Sequence, residues 1–157
     1  MRRCSLHMVR VSAPEGRSFA HPLGTGLALL RYAGFADCAS VDALRGRLPL
    51  AIASNTGEAL VRLALQRTGL LEAFTVIVSG FDLGRSKPDP MVYRVACEAL
   101  RVTPGEAAAF EDSPAGVASA RAAGLFVVGV PDRPGVDLRA AGADRVVGSL
   151  ADVVVRS

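Results

Sequence analysis

From residue 48 onward, short apolar runs alternate with segments of helical period, and no other feature limits the fold as tightly. "LPLAIAS" (48–54), "FTVIVSG" (74–80), "AAAFEDS" (107–113), "LFVVGV" (125–130) and "RVVGS" (145–149) each read as a strand. Between the first two, Leu60, Leu63, Ala64 and Leu71 fall near one helical face, with Asn55 placed to cap the helix, Glu58 three residues on and Gly69 to close it. After the second, Asp89 is placed to cap a helix and Pro90 to sit in its first turn. Val92, Val95, Ala96, Ala99 and Leu100 then follow at helical spacing. Ser113 and Pro114 open a third helix that Gly124 ends, and a short helical piece is expected around 136–141. Strands separated by helices of about ten residues connect through right-handed crossovers, which makes the fold class α/β, a parallel sheet with helices on both faces.

The first third is less regular. "LHMVRVS" (6–12) reads as a strand and "GLALLRYAG" (26–34) as a short helix, so the chain divides into an irregular segment over 1–42 and a core domain over 43–157. The 157 residues suffice for one domain with a buried core. Cys4, Cys38 and Cys97 are odd in number, far apart and form no Cys-x-x-Cys, which argues against a disulfide framework and for a reducing cytoplasm. No apolar run approaches the ~18–20 residues of a membrane-spanning helix. The basic start lacks the apolar stretch of a secretory signal. The net charge of +3 is scattered rather than gathered into a basic stripe with interleaved aromatics, so no nucleic-acid partner is expected.

Lys87 is the only lysine among 18 Lys and Arg residues. In an open parallel sheet, ligands bind beyond the carboxyl ends of the strands, and three polar groups belong there. Ser54 and Asn55 end the first strand, where a helix N-terminus attracts anions; they fit either a phosphate contact or a plain N-cap. Lys87 follows the second strand; its compact charge on a flexible stem can reach both a phosphate and a carboxylate. Glu111 and Asp112 end the third. Two adjacent acids fit a divalent cation with oxygen ligands, Mg²⁺ above all, or a helix-start cap with Ser113. His7 and His21 are isolated, and ordinary surface or core positions suit them better than metal ligation.

"AIASNT" (51–56), "GRSKPDP" (84–90) and "FEDSPAGVASARAAGLFVVGV" (110–130) occur in an order that resembles the haloacid dehalogenase-like superfamily, and within it the phosphatases and sugar phosphomutases typified by β-phosphoglucomutase. The resemblance covers about residues 43–150. It implies a three-layer α/β/α Rossmann-like sheet, a small phosphorylated metabolite as substrate and Mg²⁺ as cofactor. By the same resemblance, Ser54 binds the transferring phosphoryl group with Asn55 beside it, Lys87 neutralises phosphate and nucleophile charge, and Glu111 and Asp112 complete the Mg²⁺ site.

The superfamily's first motif is an apolar strand running into Asp-x-Asp, whose first Asp is the nucleophile. Upstream of residue 54 the only acids are Glu15, Asp37 and Asp42, and none forms that motif. The central strand is therefore expected to be missing, or replaced by residues 6–12 with Ser12 at the nucleophile's place. The helical cap domain has little room, and exposed sheet edges would favour self-association. Three functions remain: a Mg²⁺-dependent phosphomonoesterase or phosphomutase that is catalytically incomplete, a non-catalytic phosphate- or Mg²⁺-binding module, and a truncated or frameshifted reading frame of an active phosphatase. A receiver domain is set aside, because there the acid pair precedes the hydroxyl.

Overall fold

The computed structural model describes residues 7–12, 18–23, 27–30 and 38–156. Its elements in chain order are β1 (His7–Ser12), β2 (Ser18–Leu23), β3 (Leu27–Leu30), α1 (Cys38–Arg45), β4 (Leu50–Ser54), α2 (Glu58–Thr68), β5 (Val76–Ser79), α3 (Met91–Leu100), β6 (Ala107–Glu111), α4 (Pro114–Ala123), β7 (Phe126–Gly129), β8 (Arg145–Val146) and β9 (Val153–Arg156). Six of the strands form one parallel sheet in the order β5-β4-β3-β6-β7-β8.

Period-two alternation sends the side chains of this sheet into two cores. Leu50 and Ile52 of β4, with Ala108 and Phe110 of β6, pack against Val41 and Leu44 of α1 and Val61 and Leu65 of α2. Ala51 and Ala53, with Ala107 and Ala109, pack on the other face against Val92, Tyr93, Ala96 and Cys97 of α3 and Val117 and Ala120 of α4. The result is the expected three-layer α/β/α arrangement, in which all four described helices lie against the sheet. Each large aliphatic buried this way contributes roughly 1.5–3 kcal/mol. The alanines of β6 add less area but let α3 and α4 approach the strand closely. Glycines in the left-handed conformation end α2 (Gly69, φ 72°) and α4 (Gly124, φ 93°), as expected.

Five expectations need correction. The central place is not missing: β3 fills it, pairing with β4 on one side and β6 on the other. Residues 27–30 are therefore a strand, not the short helix read over 26–34. The run is too short to show a period, and two neighbouring strands with unpaired edges decide its state. The 6–12 segment does not occupy the centre either; β1 pairs antiparallel with β2 and β9 in a separate three-stranded sheet. The helical piece around 136–141 is a set of turns held by Ala141 N–H to Asp137 O (3.3 Å) and Gly142 N–H to Arg139 O (2.9 Å). The fifth strand shortens to the two residues of β8. Among the described residues, no helix is long and apolar enough to cross a membrane.

The helix between β4 and β5 lies on one face of the sheet, and that between β6 and β7 on the other. The winding therefore reverses at β3, and the crevice of such a sheet opens at the carboxyl ends of the strands flanking that reversal. Those strands are β4 and β6, ending in Ser54 and Glu111.

Candidate active site

Ser54 is 2% exposed at the end of β4, and its Oγ accepts the backbone N–H of Thr56 at 3.0 Å. This makes a tight side-chain turn rather than a helix cap. The N-cap expected of Asn55 does not form, because α2 begins only at Glu58 with Gly57 at its N-cap. Asn55 is drawn to the loop after β5 instead. Its Oδ1 accepts the backbone N–H of Lys87 at 2.7 Å, and its Nδ2 donates to the Lys87 carbonyl at 3.4 Å. Such paired bonds fix one backbone position from both sides, so Asn55 sets where Lys87 starts. The first turn of α2 takes its carboxylate from elsewhere: Asp82 Oδ2 accepts the N–H of Glu58 at 2.8 Å.

The loop that carries Lys87 folds back tightly on the end of β4. Gly80 N–H donates to Ser54 O at 2.7 Å, and Arg85 N–H donates to Gly80 O at 2.8 Å. A Cβ on Gly80 would stand 2.9 Å from Arg85 O and 3.1 Å from Asn55 Oδ1, so only glycine permits this closure. The loop ends where Asp89 Oδ1 accepts the Met91 N–H at 2.8 Å, the start expected for α3. Ser119 Oγ of α4 donates to Asp89 O at 2.6 Å and ties this corner to α4.

Lys87 is thereby turned inward; its side chain is 2% exposed. Nζ donates to Ala53 O at 2.8 Å, to Tyr93 Oη at 3.1 Å and to Glu111 Oε1. The Tyr93 hydroxyl in turn donates to the same Glu111 oxygen. Nζ also lies 4.7 Å from the centroid of the Tyr93 ring. An ammonium has three N–H donors, and all three are engaged. The alternation that places Ala107 and Ala109 on the α3/α4 face places Glu111 there too, which is why it meets Lys87.

Glu111 is fully buried, and its second oxygen, Oε2, finds no hydrogen-bond partner among the described residues. That oxygen is packed against Gly116 of α4, where a Cβ would overlap the carboxylate. Asp112 lies one residue past β6 and is 4% exposed. The helix-start reading of this region holds for Ser113, whose Oγ accepts the Gly116 N–H at 3.2 Å with Pro114 in the first turn. Among the described residues, no three His, Cys, Asp or Glu side chains gather as a metal cluster. Asp37 lies outside the described residues.

Ser54, Asn55, Lys87, Glu111 and Asp112 thus all stand at the carboxyl edge around the reversal of winding. Lys87 joins Asn55 directly through its backbone and Glu111 through its side chain. Two participants were not anticipated. Tyr93 was hidden among apolar positions of a helix face, although a buried tyrosine hydroxyl needs a partner and Lys87 is six residues away. Asp82 had no local signal, since it caps a helix 24 residues upstream.

A haloacid dehalogenase-like hydrolase family model matches residues 31–124, a start upstream of the motif resemblance at about 43. The chain is 40% identical over 84 residues to validoxylamine A 7'-phosphate phosphatase of Streptomyces hygroscopicus subsp. limoneus, covering 54% of this chain and 39% of that protein. It is 36% identical over 91 residues to β-phosphoglucomutase of Bacillus subtilis, covering 58% and 38%. A hydrolase structure from Deinococcus radiodurans R1, with bound phosphate and sodium, superposes with a TM-score of 0.66 at 35% identity, over 74% of this chain and 55% of that one. The matched part spans about two fifths of the two curated relatives.

Proposed function

The chain belongs to the haloacid dehalogenase-like hydrolase family, and from that premise we propose that it recognises a small phosphorylated metabolite, a phosphate monoester, at the carboxyl edge of its parallel sheet. The observation that carries this reading is the buried Lys87–Tyr93–Glu111 group beside Ser54, at the reversal of winding. Phosphate recognition and transfer rely on positioned donors and fixed charge more than on covalent participation by the protein. Ser54 Oγ and the backbone of the turn that begins at Asn55 are the hydroxyl and amide donors of the site. Lys87 is its cation, held by Glu111 so that it stays charged in a dry setting. The phosphatases and phosphomutase among the relatives support the same class of ligand.

Mg²⁺ is the cation implied by the carboxylates. One oxygen of Glu111 is taken by Lys87 and Tyr93, so Asp112 is the residue that would hold the metal, with Glu111 Oε2 the unpartnered acceptor nearby in sequence. This donor set suits Mg²⁺, which is commonly held by one or two carboxylates and completes its shell with water and substrate phosphate. When bound, it would add positive charge against the phosphate.

No Asp-x-Asp occurs in the 157 residues, and the strand at the reversal, β3, ends in Leu30. Covalent transfer needs an attacking carboxylate, so this chain by itself is expected to bind a phosphate monoester without turning it over. Its three cysteines, one of them a buried free thiol, suit a reducing cytoplasm. The test pairs p-nitrophenyl phosphate hydrolysis, with and without Mg²⁺, with calorimetric titration of inorganic phosphate. Phosphate binding without turnover is the expected result. Turnover that Lys87→Met abolishes would overturn the incompleteness, and absence of phosphate binding would overturn the reading as a whole.

A further inference from the structure

The ammonium of Lys87 has no spare donor, so a phosphate can reach it only by taking over a bond already made. The three existing bonds differ in what each leaves behind. Releasing Glu111 would leave a fully buried carboxylate without its counter-charge, with only the Tyr93 hydroxyl on one oxygen and no described partner on the other. Releasing Ala53 O would take a donor from a backbone carbonyl in a strand that is buried throughout. Releasing Tyr93 leaves the hydroxyl still donating to Glu111 Oε1, so the phenol remains bonded. Its ring also keeps the ammonium nearby, at 4.7 Å from the centroid.

We propose that Tyr93 is a positioning residue that holds one N–H of Lys87 in reserve, and that an incoming phosphate replaces the Tyr93 hydroxyl as the acceptor of that bond. The inference rests on the reading of this edge as a phosphate site and adds how the site is kept closed when empty. Tyr93 lies on α3 and is fully buried. No proton changes hands in the exchange: the ammonium keeps its charge, the phenol keeps its proton, and only the acceptor of one N–H differs.

The sign of one substitution separates this role from simple packing. Tyr93→Phe keeps the ring and removes the hydroxyl. It leaves Lys87 with a donor that phosphate no longer has to win from Tyr93, so phosphate should bind about ten- to a hundredfold more tightly, the span of one hydrogen bond to a charged group. The unliganded protein should meanwhile melt at a lower temperature. A tyrosine that merely filled space would lower the melting temperature and leave affinity equal or weaker.

Lys87 is the sole lysine, so ¹⁵N-lysine labelling gives a single side-chain ammonium resonance. Inorganic phosphate is titrated into the wild-type chain and Tyr93→Phe while that resonance is followed, with circular dichroism to establish that the variant is folded. The expected result is a resonance that moves with phosphate in both, with the lower Kd in Tyr93→Phe. If the wild-type resonance moves but Tyr93→Phe binds no more tightly, the exchange is overturned and the phosphate site stands. If Tyr93→Phe does not fold, the wild-type titration decides alone: the phenolic Oη–H resonance of Tyr93 should shift together with the ammonium, and an unmoved phenol overturns the exchange. If neither chain responds to phosphate at tens of millimolar, the site reading falls and the exchange with it.

Discussion

Replacing Gly116 by alanine sets two physical effects against each other. Gly116 is the third residue of α4, and helix propensity alone favours alanine there by about 0.5–1 kcal/mol. Its surroundings argue the other way. A Cβ at this position overlaps the Glu111 carboxylate, and even the farther oxygen, Oε1, would stand only 2.6 Å away. Glu111 cannot simply swing aside, because it is fully buried and Oε1 is held by Lys87 and Tyr93. If the helix shifts to relieve the clash, overpacking costs about 1–3 kcal/mol. If Glu111 leaves its place, a buried ion pair is broken, at about 3–5 kcal/mol. The smaller relaxation will dominate, and after the propensity gain the net loss is about 1 kcal/mol. For a chain of this size that lowers Tm by roughly 2–4 °C. Urea unfolding should give a lower midpoint with an unchanged slope. Gly105→Ala is the control, since its added Cβ meets nothing within 4 Å; it should stay within about 0.5 kcal/mol of the wild type. A Gly116→Ala chain as stable as the wild type would mean that Glu111 is not held against α4, and the site geometry derived from that contact would be wrong.

The Lys87–Glu111 pair gives a second test. Lys87→Met should cost about 3–5 kcal/mol by leaving a buried carboxylate unpaired, whereas Lys87→Met with Glu111→Met should recover most of that loss in urea unfolding; a double variant no better than the single would show that the pair is not the source. Burial pushes the Cys97 thiol up to about 11 from its ordinary 9.0. The unfolded chain thus loses this proton first, and stability should fall as pH rises from about 9 towards 11. Subtracting the same curve for Cys97→Ala should remove that part of the slope, and identical curves would refute the assignment.

Much of the fold was legible because its strands are apolar throughout. β4, β5, β6 and β7 stand out as short runs bounded by turn residues, and a run buried on both faces carries its signal alone. β3 was not legible, since "LALL" is as good a start to a helix as to a strand. Its state is settled by β4 and β6, which lie 20 and more residues downstream. The same contrast governs the site. Lys87, Ser54 and Glu111 were found because strand ends and an unusual residue type mark them locally. Asn55 was read as a cap because its sequence neighbours suggest one, but two hydrogen bonds to Lys87, 32 residues away, outweigh a single cap bond. Tyr93 shares a helix face with Val92 and Ala96, and only the buried hydroxyl distinguishes its task from theirs.

The position of β3 also shows how the sheet can be complete in a sequence without Asp-x-Asp. A central strand must supply backbone groups to two neighbours, and four residues in register with β4 and β6 meet that need whatever their side chains. Leu30 pairs with Ile52 and Phe110, so β3 stops one residue short of Glu111 and two short of Ser54. The described partners of the Lys87 ammonium come from three other elements. Ala53 belongs to β4, Tyr93 to α3 and Glu111 to β6, and these three satisfy every donor of the ammonium. Stability and turnover are therefore separable in this chain. Losing Glu111 or Gly116 should destabilise the fold, whereas covalent transfer would need an attacking carboxylate that folding does not need. The residues proposed to bind phosphate can thus persist for reasons of packing and charge balance alone, so their presence does not by itself argue for turnover.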